Sequence, residues 1–514
     1  MGMVYHVGMD NQELETLQTT DKTIPAQLDL DMALKTFREA VEPLVHVTPQ
    51  SDWDGPKLLE REKAILKAGL VLVGQCIALL LFNLVSLPEV QQTARERTAH
   101  LRQSNSTGHG KRKVNILLIG GVVASLWVEY VIARKPRQSP GRKRKCGKHG
   151  VHQGQGFYPV LKLLGISERM SPLVRSTIAE HGTLSVSFEA ACETLAQMGI
   201  VLPAKRAARI THAFNQAGLQ HRQAQLEQFQ QGLLPVGEQL RGKRVVISVD
   251  GGRTRLRRPK SGRKAKGKRY HGYHAEWKEP KLLTIYTLDE QGQKGVSAEL
   301  PITNDGTFED VEGFMLILEM HLIRLGVCHA KSVQLIADGA PWIWQRIPTL
   351  LRKLGCSMEI IVETIDFYHA AEKLNTLAQL AFGCNATAQR WFKQQRGLLK
   401  QGRIDAILRN LQVCLSQAKG TTREAMQTIY DFFVTHQKHM AYKQLVERHL
   451  LIGSGAIESL IRQVVNLRLK DSGRFWLKEH AEAMLHARCW WAAGTWEYFR
   501  NLVLTVDLLP ALTN

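Results

Sequence analysis

The chain has no Cys-x-x-Cys pair, and its eight cysteines are scattered over 514 residues. That spacing excludes a disulfide framework and suits reduced thiols in a cytoplasm. No internal repeat is visible, and the acidic N-terminus lacks the charged-then-apolar pattern of a signal peptide. Acidic residues are scarce where they matter. The stretch Arg134 to Lys148 holds eight Lys or Arg and no acid, and 253–269 holds ten in seventeen positions and no acid. Only 1–56 runs the other way, with ten acids against three Lys or Arg. The formal charge of +21 therefore belongs to the body of the chain. Such an excess points to a polyanionic partner, nucleic acid above all, over a merely basic enzyme.

Long uncharged runs are equally rare. Ala68–Val85 could span about 27 Å as a helix. It contains Gln75, Asn83 and two glycines, and the charged run Lys57–Lys67 leads into it. A buried or self-associating helix is expected there, with no membrane span.

The remaining pattern gives an order of elements. Residues 1–56 read as a weakly ordered acidic arm and 57–110 as helices. The region 111–240 holds a β-hairpin turning at Gly120-Gly121, a basic loop and further helices. Within it, Ser187–Met198 and Ala204–Phe214 resemble a helix-turn-helix with Lys205, Arg206 and Arg209 on its second helix. Two packed helices with a solvated basic face would read the same way. From 241 to 372 come strands at Val245–Val249, Leu282–Leu288, near Gly295–Leu300, Val333–Ala337 and Met358–Ile365, with a helix over Phe308–Leu325. Residues 373–448 read as a helical insertion, 449–500 as the last part of the core, and 501–514 as a tail. Three meandering strands followed by helix-separated ones describe a mixed α/β sheet of RNase H-like order, after a mostly helical N-terminal DNA-binding region.

Asp250 in ISVDGG and Asp338 in LIADGA each follow a buried strand. Sites collect at strand ends of open α/β sheets, and glycine after the acid lets a substrate or metal approach. A single Asp-Gly is an ordinary turn; two after buried strands, one beside a basic loop, favour a site. Carboxylates are the ligands that hard divalent ions choose. Three acids could complete the set: Glu363, Asp366 and Glu458. Asp366 follows its strand as Asp250 and Asp338 follow theirs. Glu458 opens a helix after Gly453-Ser454-Gly455, and its neighbours Arg462, Arg468 and Lys470 could meet phosphates. In the acid-free stretch, Arg253, Arg255, Arg257, Arg258, Lys264, Lys266, Lys268 and Arg269 are the phosphate-contact candidates.

VDGGRTRLR, LIADGA, DFYHAAEKL and GSGAIES-x-x-RQVVN-x-RLK-x-x-GRFW together resemble the insertion-sequence DDE transposases of the ISKra group and their Mutator-like relatives. The resemblance spans about 111–495. It implies an RNase H-like catalytic domain interrupted by helices and places the catalytic, metal-holding acids at Asp250, Asp338 and Glu458. It implies two Mg²⁺ or Mn²⁺, cleavage of transposon-end DNA, and strand transfer into target DNA. The expected partners are double-stranded DNA and a second copy or more of the chain, in the cytoplasm at the nucleoid. It also matches an Asp-x-x-His signature at Asp366 and His369, read either as support around the acids or as a direct DNA contact. Relatives often carry a Cys-x-x-Cys pair where this chain has only Cys146, His149 and His152, a spacing that suits a solvated loop better than a zinc site. Two rival functions share these features: an RNase H-like nuclease or resolvase that cuts without joining, and a catalytically idle DNA-binding relative.

Overall fold

The computed structural model describes residues 23–24, 29–47, 53–102, 106–133, 156–260, 267, 272–295, 302–470 and 473–506. Cys146, His149, His152, Lys264, Lys266, Lys268 and Arg269 lie outside the described residues, as do most of the acidic arm and the run from Arg134 to Lys148. The chain divides into two compact units. One comprises Met1–Gly218 with the chain end from Arg500, and the other Leu219–Gly262 and His271–Phe499.

The first unit contains β1 (Thr23–Ile24), α1 (Leu30–Val45), α2 (Gly55–Ser86), α3 (Pro88–Arg97), β2 (Ser106–Leu117), β3 (Val123–Ala133), β4 (Gly156–Phe157), α4 (Pro159–Leu163), α5 (Pro172–Leu184) and α6 (Phe188–Gln197). Strands β2 and β3 pair antiparallel about Gly120-Gly121. Gly120 has φ +72°, and a Cβ there would stand 2.4 Å from the Leu70 carbonyl oxygen, so only glycine makes this turn. The hairpin buries Val114, Ile116, Ala124, Leu126 and Val128 with Ala78 and Leu81 of α2. That contact covers one stripe of α2. Of its most apolar window, 17% is buried, and Leu66, Val73 and Leu80 are exposed. The expectation of a helix buried within the chain is thus met along one face only. Among the described residues, α2 is the one helix long and apolar enough to cross a membrane.

Helix α7 (Ala204–Gln230) begins in the first unit and ends in the second. It corrects the short second helix expected at Ala204–Phe214. Beyond Phe214 the sequence carries no Gly-Pro break, and its good helix formers continue the helix to Gln230. On it Lys205 and Arg209 are exposed, Arg206 is half-buried, and Arg209 pairs with Glu168 at 2.8 Å.

The second unit is a mixed α/β sheet flanked by helices. Its strands are β5 (Arg244–Gly251), β6 (Thr254–Pro259), β7 (Tyr273–Lys278), β8 (Lys281–Leu288), β9 (Lys294–Gly295), β10 (Thr303–Thr307), β11 (Ser332–Ala337) and β12 (Ile361–Ile365). The main sheet runs β10-β8-β5-β11-β12, with β9 beside β8. Pairings among β10, β8 and β5 are antiparallel, and those of β11 with β5 and β12 are parallel. Helices α8 (Val311–Leu325) and α9 (Pro341–Lys353) cover one face, around Val245, Ile247, Val249, Leu335 and Ala337. The other face, around Val246, Tyr286 and Ile336, is covered by α10 (Phe367–Phe382), α11 (Ala386–Lys400), α12 (Ile404–Gln417), α13 (Gly420–His436) and α14 (Tyr442–Glu447). After these come α15 (Gly455–Ile461), a π-helical turn at Arg462–Asn466, α16 (Lys478–Ala492) and α17 (Trp496–Val506), whose end belongs to the first unit.

Three sequence expectations change here. Among the described residues the strand on the far side of β8 is Thr303–Thr307; of the segment expected near Gly295–Leu300, Gly295 pairs with β8 in β9 and the rest lies outside the described residues. TNDGT reads as a turn, but tertiary bonds impose an extended backbone on it. Asp305 is buried and accepts from Arg222 (2.9 Å), Gly306 N–H (2.8 Å), His321 (2.9 Å) and His486 (3.0 Å). The fifth strand starts at Ile361, because Ser357 to Ile360 close a turn through an Ile360 N–H bond to the Ser357 carbonyl (3.2 Å). The start of the basic stretch is strand rather than loop: Thr254–Pro259 pairs antiparallel with Tyr273–Lys278.

Candidate active site

Side chains alternate across a strand, so one buried residue fixes the face of the next but one. On β5, Val246 packs under the inserted helices, and Ser248 and Asp250 follow on the same side. On β11, Ile336 does the same, and Asp338 follows two residues later. The parallel register sets Ile336 beside Ser248 and Ala337 beside Val249. Continued by one residue it brings Asp338 beside Asp250, on strands about 4.8 Å apart. Both acids follow the strand ends on the face that α10 to α14 cover.

Each carboxylate is held by its own turn. Asp250 accepts from Gly251 N–H at 2.6 Å, and Asp338 accepts from Ala340 N–H at 3.0 Å. The Trp344 indole N–H donates to the Asp338 carbonyl at 2.8 Å. Behind Asp338, a Cβ on Gly339 would lie 2.3 Å from the Phe432 ring, so α13 seals that side of the turn. His436 of α13 sits beside Phe432 and Trp344. Burial, then His439, pushes its imidazole down to about 4, against a weaker opposing pull from Asp338.

Glu458 arrives from the C-terminal side. Helix α15 packs on β5 and β8 and carries Glu458 in its first turn. Its approach is set by Asp366, which is fully buried. One Asp366 oxygen caps α10 by accepting from His369 N–H (2.8 Å), and the other accepts from Ser454 N–H at the start of α15. Gly453 makes this possible, since a Cβ there would stand 2.7 Å from the Tyr368 ring. Gly455 has open space around it and carries no such constraint. His369 Nε2 lies 3.9 Å from Glu458 Oε1.

The electrostatics tie these groups together. The Asp250 carboxyl is pushed up to about 6. Burial is the largest cause; the Gly251 N–H opposes it, Asp338 and Glu458 raise it further, and His369 lowers it. So Asp250, Asp338, Glu458 and His369 share one electrostatic neighbourhood. Neighbouring carboxylates are the donor type of a hard divalent cation, whose charge would offset both the burial and the repulsion that raise Asp250. Among the described residues, the one group of three whose potential ligand atoms lie within 4.8 Å of one another is Asp366, His369 and Glu458; Asp250 and Asp338 do not join it. Asp366 already spends both oxygens on backbone N–H groups. Glu363, the other acid weighed for the third place, is paired with His439 at 2.8 Å.

The basic candidates separate. Arg462 and Lys470 are exposed near α15. Arg468 is 2% exposed and lies over the Trp476 ring at 5.5 Å, so it is not a surface phosphate contact as expected. It follows the π-helical turn at Arg462–Asn466 and packs on a tryptophan eight residues on, a pairing that spacing along the sequence does not reveal. Arg253 and Arg258 are exposed and Arg255 and Arg257 half-buried, all four on or beside β6. Sequence reading missed Trp344, Phe432 and His436 behind Asp338; α13 lies about ninety residues away in sequence, and no local signal links the two. Comparison with protein-family models, curated proteins and solved structures gives no match to this chain.

Proposed function

We propose that this chain is a DDE transposase whose second unit is an RNase H-like catalytic domain, cutting transposon-end DNA and joining it to target DNA. The observation that carries the reading is the pairing of Asp250 and Asp338 at matching positions of neighbouring parallel strands, with Glu458, on a helix packed against β5, close enough to Asp250 to raise its carboxyl. The strand order, antiparallel through β10, β8 and β5 and then parallel through β11 and β12, supports the fold assignment. The insertion of α11 to α14 between Asp366 and Glu458 agrees with it.

In this reading Asp250, Asp338 and Glu458 hold two Mg²⁺ or Mn²⁺, which when bound activate the attacking oxygen and stabilise the leaving one. The chain's own residues do the rest. Asp250 feels both other acids, and a bound cation would lower its raised carboxyl. Asp366 acts on Glu458 by fixing the start of α15, and His369 limits the swing of the Glu458 side chain. Arg462, Lys470 and the β6 arginines supply positive charge for the DNA backbone, and the excess of +21 supplies long-range attraction. A dimer or larger assembly at the nucleoid would bring two ends together.

The test is cleavage of DNA bearing the element's own ends. Activity in Mg²⁺, none in EDTA, and loss in Asp250→Asn and Asp338→Asn with DNA binding retained are the expected results. A precleaved end separates joining from mere cutting: a nuclease leaves it unjoined. Full activity in EDTA, or in either variant, would remove the mechanism.

A further inference from the structure

The ribbon formed by β6 and β7 alternates guanidinium groups and aromatic rings along one face. Register sets Arg255 opposite Trp277, Arg257 opposite Ala275, and Pro259 opposite Tyr273, so these residues share a side. The opposite side is the anchor. Thr254 and Leu256 are buried there, and the Thr254 hydroxyl donates to the Leu469 carbonyl at 2.6 Å. A third segment extends the ribbon: Arg257 N–H donates to the Trp476 carbonyl (2.7 Å), and Trp476 N–H to the Arg255 carbonyl (3.2 Å).

On the open side the groups interleave. Arg253 lies 4.9 Å from the centroid of the Trp277 ring, and Arg255 lies 5.3 Å from the same ring and 4.8 Å from Phe475. The Phe475 ring is 5.7 Å from Tyr273, and Arg257 lies 4.8 Å from Tyr273. The run is therefore Arg253, Trp277, Arg255, Phe475, Tyr273, Arg257. Its rings are not core: Trp277 is 48% and Tyr273 37% exposed. The acid on β7, Glu276, points to the other side and is matched by Lys278 at 3.1 Å.

Phosphate binding alone would need the arginines and no rings. Rings that carry guanidinium groups over them and still keep exposed surface, as Trp277 and Tyr273 do, put stackable aromatic area next to positive charge, since a base can displace an arginine from a ring face toward the phosphate. A duplex hides its base faces inside the stack; an unpaired strand exposes both faces and keeps its phosphates. Stacking on aromatics beside a basic track is how such strands are held without reading sequence. We propose that this ribbon binds unpaired, single-stranded DNA, stacking bases on Trp277 and Tyr273 while Arg253, Arg255 and Arg257 meet the phosphates. This rests on the proposed function for its choice of DNA as the polyanion.

The test is fluorescence anisotropy with the full chain in EDTA, using a 15-nucleotide single-stranded DNA, a blunt duplex, and an RNA of the same sequence, at several salt concentrations. Trp277→Ala should weaken single-strand binding by about tenfold and duplex binding by less than about twofold. Trp277→Phe, which keeps a ring, should stay within about threefold of the unchanged chain. Arg257→Gln should lower the single-strand slope of log K against log salt by about 0.7, and Trp277→Ala should leave that slope alone. The proposal is overturned by an unchanged affinity in Trp277→Ala, by an equal loss on duplex, by an equal loss in Trp277→Phe, or by a loss confined to RNA. Cleavage in Mg²⁺ is scored separately on the same DNA. A chain that never cuts can still pass this test, and a cutting chain can fail it.

Discussion

Asp250→Asn should make the metal-free protein more stable at neutral pH, even as it abolishes cleavage. The ordinary carboxyl value is 3.8, and burial beside Asp338 and Glu458 raises Asp250 to about 6. At 1.36 kcal/mol per tenfold change in proton affinity, the charged form costs about 3 kcal/mol in the folded state. The sign follows from which state releases its proton first. The unfolded chain ionises at 3.8 and the folded one only near 6, so raising pH through this window favours unfolding. The penalty begins near pH 4 and is complete above about pH 7. Asparagine keeps an oxygen for the Gly251 N–H and carries no charge, so it removes the penalty. In EDTA at pH 8, calorimetry should show the variant melting roughly 6 °C higher, at about 2 °C per kcal/mol for a unit of this size. By pH 4.5 the advantage should shrink by about two thirds, as Asp250 in the unchanged chain becomes protonated on folding. Comparing variant with parent at each pH cancels the buried histidines. Mg²⁺ should then stabilise the parent and leave the variant nearly unmoved. An Asn variant no more stable than its parent at pH 8, or an advantage independent of pH, would refute the raised Asp250 carboxyl.

Glu458→Gln should abolish cleavage with little effect on melting, since Glu458 is half-exposed. Asp366→Asn should instead cost stability first, on the order of 1–3 kcal/mol in urea unfolding, because it weakens a helix cap and the Ser454 N–H bond together. A folded, inactive Asp366→Asn beside a normal Glu458→Gln would reverse their roles. Asp305→Ala should destabilise the second unit by about 3–5 kcal/mol, as it leaves the buried Arg222 half-paired and strips His321 and His486 of their acceptor; an unchanged urea midpoint would contradict that. Gly339→Ala should reduce activity and stability through the Phe432 ring, and the double variant Gly339→Ala with Phe432→Leu should recover part of both.

Sequence by itself determined the parts of this protein that local physics decides. Apolar runs named β5, β8 and β11 because a strand covered on both faces must be apolar throughout. The two strand-end aspartates stood out because Asp-Gly after such a run has a chemical reason to be there. The hairpin at Gly120-Gly121 was legible because its turn demands a positive φ.

Tertiary structure decided what depends on partners distant in the chain. Strand β10 looks like a turn and becomes a strand because a buried network of Arg222, His321, His486 and Glu482 surrounds it. Arg468 looks like a phosphate contact and is buried, packed over the Trp476 ring of a later segment. Asp366 repeats the local pattern of Asp250 and Asp338, yet its carboxylate serves two backbone N–H groups, one of them 88 residues away at Ser454. The arginines of β6 were visible as charge, but the rings between them come from β7 and from Phe475. Hydrophobic periodicity reports how one segment meets a core. It holds no record of which second segment supplies a counter-charge, a ring or a hydrogen-bond donor, because that pairing exists only once the chain has folded.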